Sequence, residues 1–198
     1  SRLIHGGFEW VIDATHPFAV VISRDLEKAC KSYSQPLLRI ERPSNDTDQG
    51  VLIPDLYGIN NLHLSGKRIL LAIGTRRLSL GVELARKRGA EVYARVLPSP
   101  VSLRSALSCE LEDNHLAVLR PSKSEPLGAI ETALAKKWLI DGVLCRQSGG
   151  LTQAIWQHVC KELGLELWMI ARPSVDNRVE TIFKTTDLFS KLSFNNKY

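Results

Sequence analysis

Residues 11–19 read Val-Ile-Asp-Ala-Thr-His-Pro-Phe-Ala and form the end of an apolar run. The first two residues suit a buried parallel strand, and the Thr-His pair precedes a proline that fits the first turn of a helix. The stretch therefore predicts a strand, a polar turn and a helix that Thr15 or His16 caps. Because ligands of open α/β sheets bind beyond the carboxyl ends of strands, we expect Asp13, Thr15 and His16 to face a binding site.

The rest of the chain continues this α/β pattern. Apolar residues at helical spacing extend from Phe18 to about Tyr33, and residues 37–40 suit a parallel partner strand. From Gly66 onward strands and helices alternate, which predicts a parallel sheet covered on both faces. The expected strands are 68–73, 91–96, 116–119, 142–145 and 165–170; the expected helices are 78–87, 101–111, 127–138, 151–163 and 186–192.

Two lobes follow from this pattern. Residues 44–50 are polar and rich in turn formers, and the segment up to residue 65 has no sustained period, so it suits a connector. We expect an α/β protein of two Rossmann-like lobes with parallel sheets. Residues 1–62 would be the N-terminal lobe and connector, and residues 63–198 a doubly wound C-terminal lobe. Gly89 and Gly164 are expected to cap helix C-termini.

The composition narrows the class of function. The chain has 198 residues, 44% of them hydrophobic, and a net charge of +5 that is spread along the sequence. This favours anionic small molecules at least as much as nucleic acid, and no nucleic-acid-binding module is recognisable. No apolar run is long enough for a membrane span and no signal peptide is seen, so we expect a cytoplasmic protein. The four cysteines are expected to be buried thiols.

Two glycine-containing turns follow predicted strands. Gly74-Thr75-Arg76 brings free N–H groups, a hydroxyl and a guanidinium together, which is typical of an anion site. The anion could be a cofactor phosphate or a substrate carboxylate, and a helix start with an incidental arginine is the alternative. Ser148-Gly149-Gly150 repeats this arrangement after the strand ending at Cys145.

Arginines lie at or near several predicted strand ends. Five of them facing one cleft would suit a ligand with many carboxylates, because each guanidinium can bind one in bidentate fashion. Some would merely cover apolar surface. The five are Arg39, Arg42, Arg95, Arg120 and Arg172.

Asp13 and His16 are the candidates for chemistry in the first stretch. The carboxylate can contact a ligand or brace the strand-to-helix turn. The histidine suits proton donation near neutral pH, although histidines at such positions also serve as caps or packing residues.

These residues carry a resemblance to a known family. The Asp-Ala-Thr-His-Pro-Phe-Ala string of residues 13–19 resembles a signature of the precorrin-6A reductase family. Further similar segments follow in the family's order and span roughly residues 7–173. They are Leu-Arg-Ile-Glu-Arg-Pro at 38–43, Ile-Gly-Thr-Arg at 73–76, Ala-Arg-Val-Leu-Pro at 94–98, Ser-Gly-Gly at 148–150 and Arg-Pro at 172–173.

The resemblance implies an enzyme that transfers a hydride from NADPH to a double bond of precorrin-6A, or of its cobalt form, giving the 6B product in cobalamin biosynthesis. The expected partner is this anionic tetrapyrrole, with no nucleic acid or membrane, and the chain is expected to be a monomer or weak homo-oligomer. The implied catalytic residues are Asp13 and His16. The implied cofactor site is Thr15, Gly74, Thr75 and Arg76, and the implied substrate site is Arg39, Arg42, Arg95, Arg146, Ser148, Gly149 and Arg172.

The chain departs from this family in two respects. Relatives begin with a strand and a Gly-Gly-Thr-x-Glu loop that these residues do not contain, so we expect the N-terminal lobe to be incomplete. Arg146 and Trp156 stand where relatives commonly have lysines; Trp156 is expected to pack in the core or to stack on a flat ligand. These departures keep open the alternative of a non-catalytic tetrapyrrole- or nucleotide-binding remnant. A cofactor-free enzyme of the uroporphyrinogen synthase type, which shares a two-lobed α/β build and an anionic substrate, is a further alternative.

Overall fold

The computed structural model describes residues 6–43, 50–123, 125–174 and 179–194. Its strands are β1 (Val11–Asp13), β2 (Leu37–Ile40), β3 (Val51–Ile53), β4 (Arg68–Ala72), β5 (Glu91–Val96), β6 (Leu116–Val118), β7 (Gly142–Arg146), β8 (Glu166–Ile170) and β9 (Glu180–Ile182). Its α-helices are α1 (Val20–Ser32), α2 (Leu78–Lys87), α3 (Pro100–Leu107), α4 (Ala129–Trp138), α5 (Leu151–Leu163) and α6 (Thr185–Phe194). Short 3-10 helices span Leu56–Asn61, Thr75–Arg77 and Asp113–His115.

The chain divides into two compact units at positions other than the expected boundary after residue 62. Unit 1 consists of Ser1–Ser44 and Arg172–Tyr198, and unit 2 of Asn45–Ala171. Strand pairing explains the difference. Strand β3, in the expected connector, pairs with β8, while β9 pairs with β2. Residues 44–49 of that connector lie outside the described residues.

Unit 1 has a parallel sheet in the order β1-β2-β9. This confirms the predicted parallel β-α-β start, but the expected helix N-terminus is wrong. Helix α1 begins at Val20, and its N-cap residue Ala19 makes no side-chain cap. The carbonyl of His16 accepts the Ala19 N–H at 2.7 Å, so a separate turn containing Pro17 precedes the helix. The predicted apolar face is also only partly buried, since Ile22 is exposed.

Unit 2 has a six-stranded sheet in the order β3-β8-β7-β4-β5-β6, in which every pair is parallel. The predicted strand and helix order from β4 to β8 is confirmed, and α2, β5 and α5 have the expected bounds. Helix α3 ends at Leu107 rather than at the expected residue 111. Beyond it, Glu110 takes a positive φ of 51°, which is not a helical conformation. The expected C-cap glycines, Gly89 and Gly164, both have positive φ.

Helices cover both faces of the unit 2 sheet. Alternate residues of β4 and its extension point to opposite sides, as strand geometry requires. The side chains of Leu71 and of Ile73, which lies just beyond the end of β4, are directed toward Gly81 of α2. Leu70 and Ala72 belong to the main core, which α4 and α5 complete. The unit is therefore doubly wound, as the sequence predicts.

Several side chains fill that main core rather than a ligand site. Trp156 is 1% exposed and packs within it, which decides between its two expected roles. All four cysteines are buried free thiols, as expected. None of the helices in the part of the chain that the structure describes has the length and hydropathy of a membrane span.

Candidate functional site

The order of the unit 2 strands defines where a ligand can bind. Strands β4 and β7 are neighbours in the sheet. The chain continues from β4 to β5 on one side of this pair and from β7 to β8 on the other side. Such a switch opens a crevice beyond the carboxyl ends of the two strands, and this is where open α/β sheets bind ligands. Ala72 pairs with Cys145, so the turns that follow the two strands begin side by side. These turns contain Gly74 and Ser148.

The Gly74 turn has a backbone that suits close approach. Gly74 takes φ 75° and ψ 172° and precedes the 3-10 helix that starts at Thr75. A β-carbon at this position would overlap Nη2 of Arg146, so the arginine side chain lies against the glycine. Ser105 of α3 donates to the Thr75 carbonyl at 3.2 Å and supports the turn from the side. Only glycine combines this φ with this neighbour.

Two guanidinium groups meet at the same turn. Burial and the nearby charge of Arg76 both lower the pKa of Arg146 below its usual value. Arg76 is exposed and Arg146 is half-buried. Like charges held together in this way favour an anion that contacts both, and the adjacent peptide N–H groups add donors. Arg76 and Arg146, predicted for different ligands, thus belong to one basic cluster with Gly74.

A side chain of α5 fixes the turn after β7. Ser148 is buried and its N–H bonds the Arg146 carbonyl at 2.7 Å. The Gly149 N–H donates to Oε1 of Gln153 at 2.7 Å. Gln153 is 1% exposed, and its Nε2 has no hydrogen-bond partner among the described residues. The predicted Ser148 and Gly149 therefore form a fixed turn beside the basic cluster.

Arg95 is a buried cation near the carboxyl end of β5. It lies two residues beyond Tyr93 and so faces the same side of the sheet, toward α4. Burial lowers the pKa of Arg95, and the charge of Glu131 partly opposes this. Glu131 is itself buried in the first turn of α4.

In unit 1, Asp13 is the centre of a hydrogen-bond network. Its Oδ1 accepts the Thr15 N–H at 3.1 Å and the Thr15 hydroxyl at 2.7 Å, and its Oδ2 accepts Nε of Arg39 at 3.2 Å. The Thr15 hydroxyl also lies 2.9 Å from that of Ser23. Burial alone would raise the pKa of Asp13, but the hydrogen bonds from Thr15, Ser23 and Arg39 lower it. Asp13 therefore stays a carboxylate and braces the strand-to-helix turn.

His16 has a different environment from Asp13. Its side chain is exposed, and its Nδ1 accepts the Phe18 N–H at 3.2 Å. The neutral ring consequently carries its proton on Nε2.

The arginines of unit 1 differ in their exposure and in their ion pairs. Arg39 is 4% exposed and forms the buried ion pair with Asp13. Arg172 pairs with Glu41 at 3.3 Å and also donates to the Arg42 carbonyl at 2.8 Å. The side chain of Arg42 is exposed. Arg39 and Arg172 therefore contribute first to the cohesion of unit 1.

Four supporting residues were not expected from the sequence: Ser23, Ser105, Glu131 and Gln153. Gln153 had a usable signal, because a glutamine at the third position of a helix after Gly-Gly can accept a backbone N–H there. The contacts of Ser105 and Glu131 depend on helix packing, so no local pattern indicates them.

The sequence is similar to those of a known protein family. The sequence profile of the family described as "Precorrin-6x reductase CbiJ/CobK" matches residues 2–190. The cobalt-precorrin-6A reductase of Synechocystis sp. is 35% identical over 169 residues, which cover 82% of this chain and 63% of that protein. The enzyme of the same name from Salmonella typhimurium is 34% identical over 176 residues, with coverage of 83% and 63%.

A solved structure shows the same fold. The protein named CobK precorrin-6A reductase superposes with a TM-score of 0.79 at 23% identity, over 98% of this chain and 76% of that one. The chain spans 63% of the length of the Synechocystis and Salmonella relatives. The match over residues 2–190 establishes that the chain belongs to the precorrin-6x reductase family.

Proposed function

We propose that this chain reduces precorrin-6A, or its cobalt form, to the 6B product in cobalamin biosynthesis, with NADPH as hydride donor. Membership of the reductase family supports this reaction. We place it in the cytoplasm, where reduced thiols such as the four buried cysteines persist.

The basic cluster of Gly74, Arg76 and Arg146 is the observation that carries the proposal. It lies at the switch point of the unit 2 sheet, and its two guanidiniums and positive-φ glycine suit an oxyanion. We assign Gly74, Thr75 and Arg76 to the phosphates of NADPH. Arg146, with Ser148 and Gly149 beside it, is assigned to the substrate.

NADPH would supply the hydride, and the residues of the chain would position the reactants and provide a proton. We assign proton donation to Nε2 of His16, whose tautomer is set by the Phe18 N–H. Asp13 is less suited to this step, because its hydrogen bonds keep it ionised. Its role in the proposal is to hold Thr15 and the turn that carries His16.

The carboxylate arms of the tetrapyrrole would bind arginines. Arg42 and Arg95 are better candidates than Arg39 and Arg172, since the latter two already form ion pairs with carboxylates. The assignment of Arg39, Arg172 and Thr15 to ligands therefore has less structural support than the other assignments.

The test is single-turnover reduction of precorrin-6A by the full-length protein, followed through NADPH absorbance and the spectrum of the macrocycle. We expect stoichiometric NADPH oxidation, and much slower reaction in a variant carrying R76Q and R146Q. A protein that binds the tetrapyrrole without oxidising NADPH would instead support the non-catalytic alternative. Lack of any dinucleotide binding would support a cofactor-free enzyme.

A further inference from the structure

The guanidinium of Arg95 is buried without hydrogen bonds on one edge. The residue is 6% exposed, and neither Nε nor Nη2 has a hydrogen-bond partner within the described parts of the chain. Donors removed from water without an acceptor are unfavourable. A ligand that brings an acceptor to these donors would therefore bind favourably.

The two atoms concerned are the ones that bind an oxyanion most specifically. Nε–H and Nη2–H lie on the same edge of the planar group and point in parallel. Their spacing matches the two oxygens of one carboxylate or phosphate. Arg95 is the penultimate residue of β5, so this edge is near the end of the sheet where ligands bind.

Glu131 balances the charge without occupying this edge. Its buried carboxylate acts on Arg95 through space, yet the two side chains form no hydrogen bond or close ion pair. The neighbouring residue in α4, Thr132, likewise has a buried hydroxyl without a partner among the described residues. The first turn of α4 and the end of β5 thus hold several polar atoms whose hydrogen-bonding capacity is unused.

We propose that the Nε–Nη2 edge of Arg95 binds one oxyanion group of a reactant, a carboxylate or a phosphate, and that Glu131 is the internal counter-charge that competes with it. The inference rests on the proposed function for the identity of the reactants. The carboxylate would come from the tetrapyrrole and the phosphate from NADPH.

The experiment measures binding as well as turnover. Wild type and the variants R95Q, R95K and E131Q are titrated with NADPH and, separately, with uroporphyrin, an unreactive tetrapyrrole octacarboxylate. The matched control is R104Q, which alters an exposed arginine of α3. Urea unfolding of each variant reports its stability.

We expect R95Q to weaken one of the two probes about 10- to 100-fold, as the loss of charge-assisted hydrogen bonds implies. The affected probe identifies the source of the oxyanion. R95K keeps the charge but loses the paired donors, so its affinity should lie between those of wild type and R95Q. E131Q removes the competing charge, so it should strengthen binding of the same probe. It should also lower stability, because Arg95 then loses its internal counter-charge. R104Q should match wild type.

Unchanged affinity for both probes in R95Q, or weaker binding in E131Q, would show that the two residues form only a structural charge pair and would overturn the inference. If R95Q does not fold, R95K and E131Q decide by the same criteria. Loss of probe binding in R95Q together with no turnover in wild type would support this site and refute the reductase proposal. Turnover with the same KM values in wild type and R95K would support the reductase proposal and refute the site at Arg95.

Discussion

His16 and Asp13 lie three positions apart, yet their surroundings assign them different roles. His16 is exposed with its Nδ1 occupied by the Phe18 N–H, whereas Asp13 is buried and bonded on both oxygens. The sequence places both at the end of a strand and leaves two roles open for each. The partners Ser23 and Arg39, which come from later elements, are what distinguish the two residues.

If His16 donates the proton, H16N should separate catalysis from structure. The asparagine Oδ1 can accept the Phe18 N–H in place of Nδ1, so the turn is kept while the titrating group is lost. We expect kcat to fall about 10²- to 10⁴-fold, the usual contribution of general acid catalysis, with KM little changed. Steady-state kinetics across pH measure this, and H63N in unit 2, at an exposed histidine, is the control. A wild-type kcat in H16N would exclude the role.

For Asp13 we expect a large effect on stability. In D13N an amide N–H can face the Nε–H of Arg39, which leaves a buried cation unpaired. Breaking a buried pair from one side costs about 3–5 kcal/mol, so the free energy of unfolding of unit 1 should fall by that order. Urea unfolding measures it. D25N, at an exposed position of the same unit, should stay within about 0.5 kcal/mol of wild type.

The same pair predicts a pH dependence. The pKa of Asp13 is lower in the folded state than in the unfolded chain, so its stabilisation is complete above the unfolded pKa of about 3.9 and is lost as pH falls through the folded value. The stability difference between wild type and D13N should therefore narrow below about pH 4. A difference that is constant from neutral pH to acid would show that the carboxylate charge is not what stabilises the turn.

At the scale of elements, the turn between β4 and α2 shows what the local sequence indicates and what it does not. Gly74-Thr75-Arg76 is predicted as an anion site and contributes one arginine; the other, Arg146, comes from a neighbouring strand. The register of β4 on β7 brings them together. Local sequence indicates the turn; only strand order reveals its partner.

Two glycines allow a controlled test of this turn. Gly74 and Gly66 have the same φ of 75°, but only at Gly74 does a β-carbon meet another side chain, that of Arg146. Both substitutions carry the cost of a positive φ, about 1–2 kcal/mol, and G74A should cost more because the ψ of 172° at Gly74 lies in a region that essentially only glycine populates. G74A alone should displace Arg146 and weaken NADPH binding by on the order of tenfold. Equal NADPH affinity in the two variants would show that the Gly74 turn does not hold the cofactor.

At the scale of the whole molecule, the pairing of strands that are distant in the chain is the feature that the sequence does not indicate. The long regular elements of unit 2 are predictable because apolar periodicity over ten or more residues is a strong signal. Strands β3 and β9 have three residues each, and they pair with β8 and β2 from far along the chain. The partner of such a strand, far along the chain, cannot be inferred locally. The two compact units consequently divide at positions other than residue 62.

Unit 1 should consequently behave as one cooperative body although its two segments are more than 120 residues apart. L38A and L70A remove the same side chain from fully buried positions in β2 and β4, one in each unit. Each should cost about 2–5 kcal/mol. Hydrogen exchange should then accelerate in L38A within β1 and in the distant β9, and in L70A within β5 and β7. If L38A left β9 as protected as in wild type, the C-terminal segment would not share the core of unit 1.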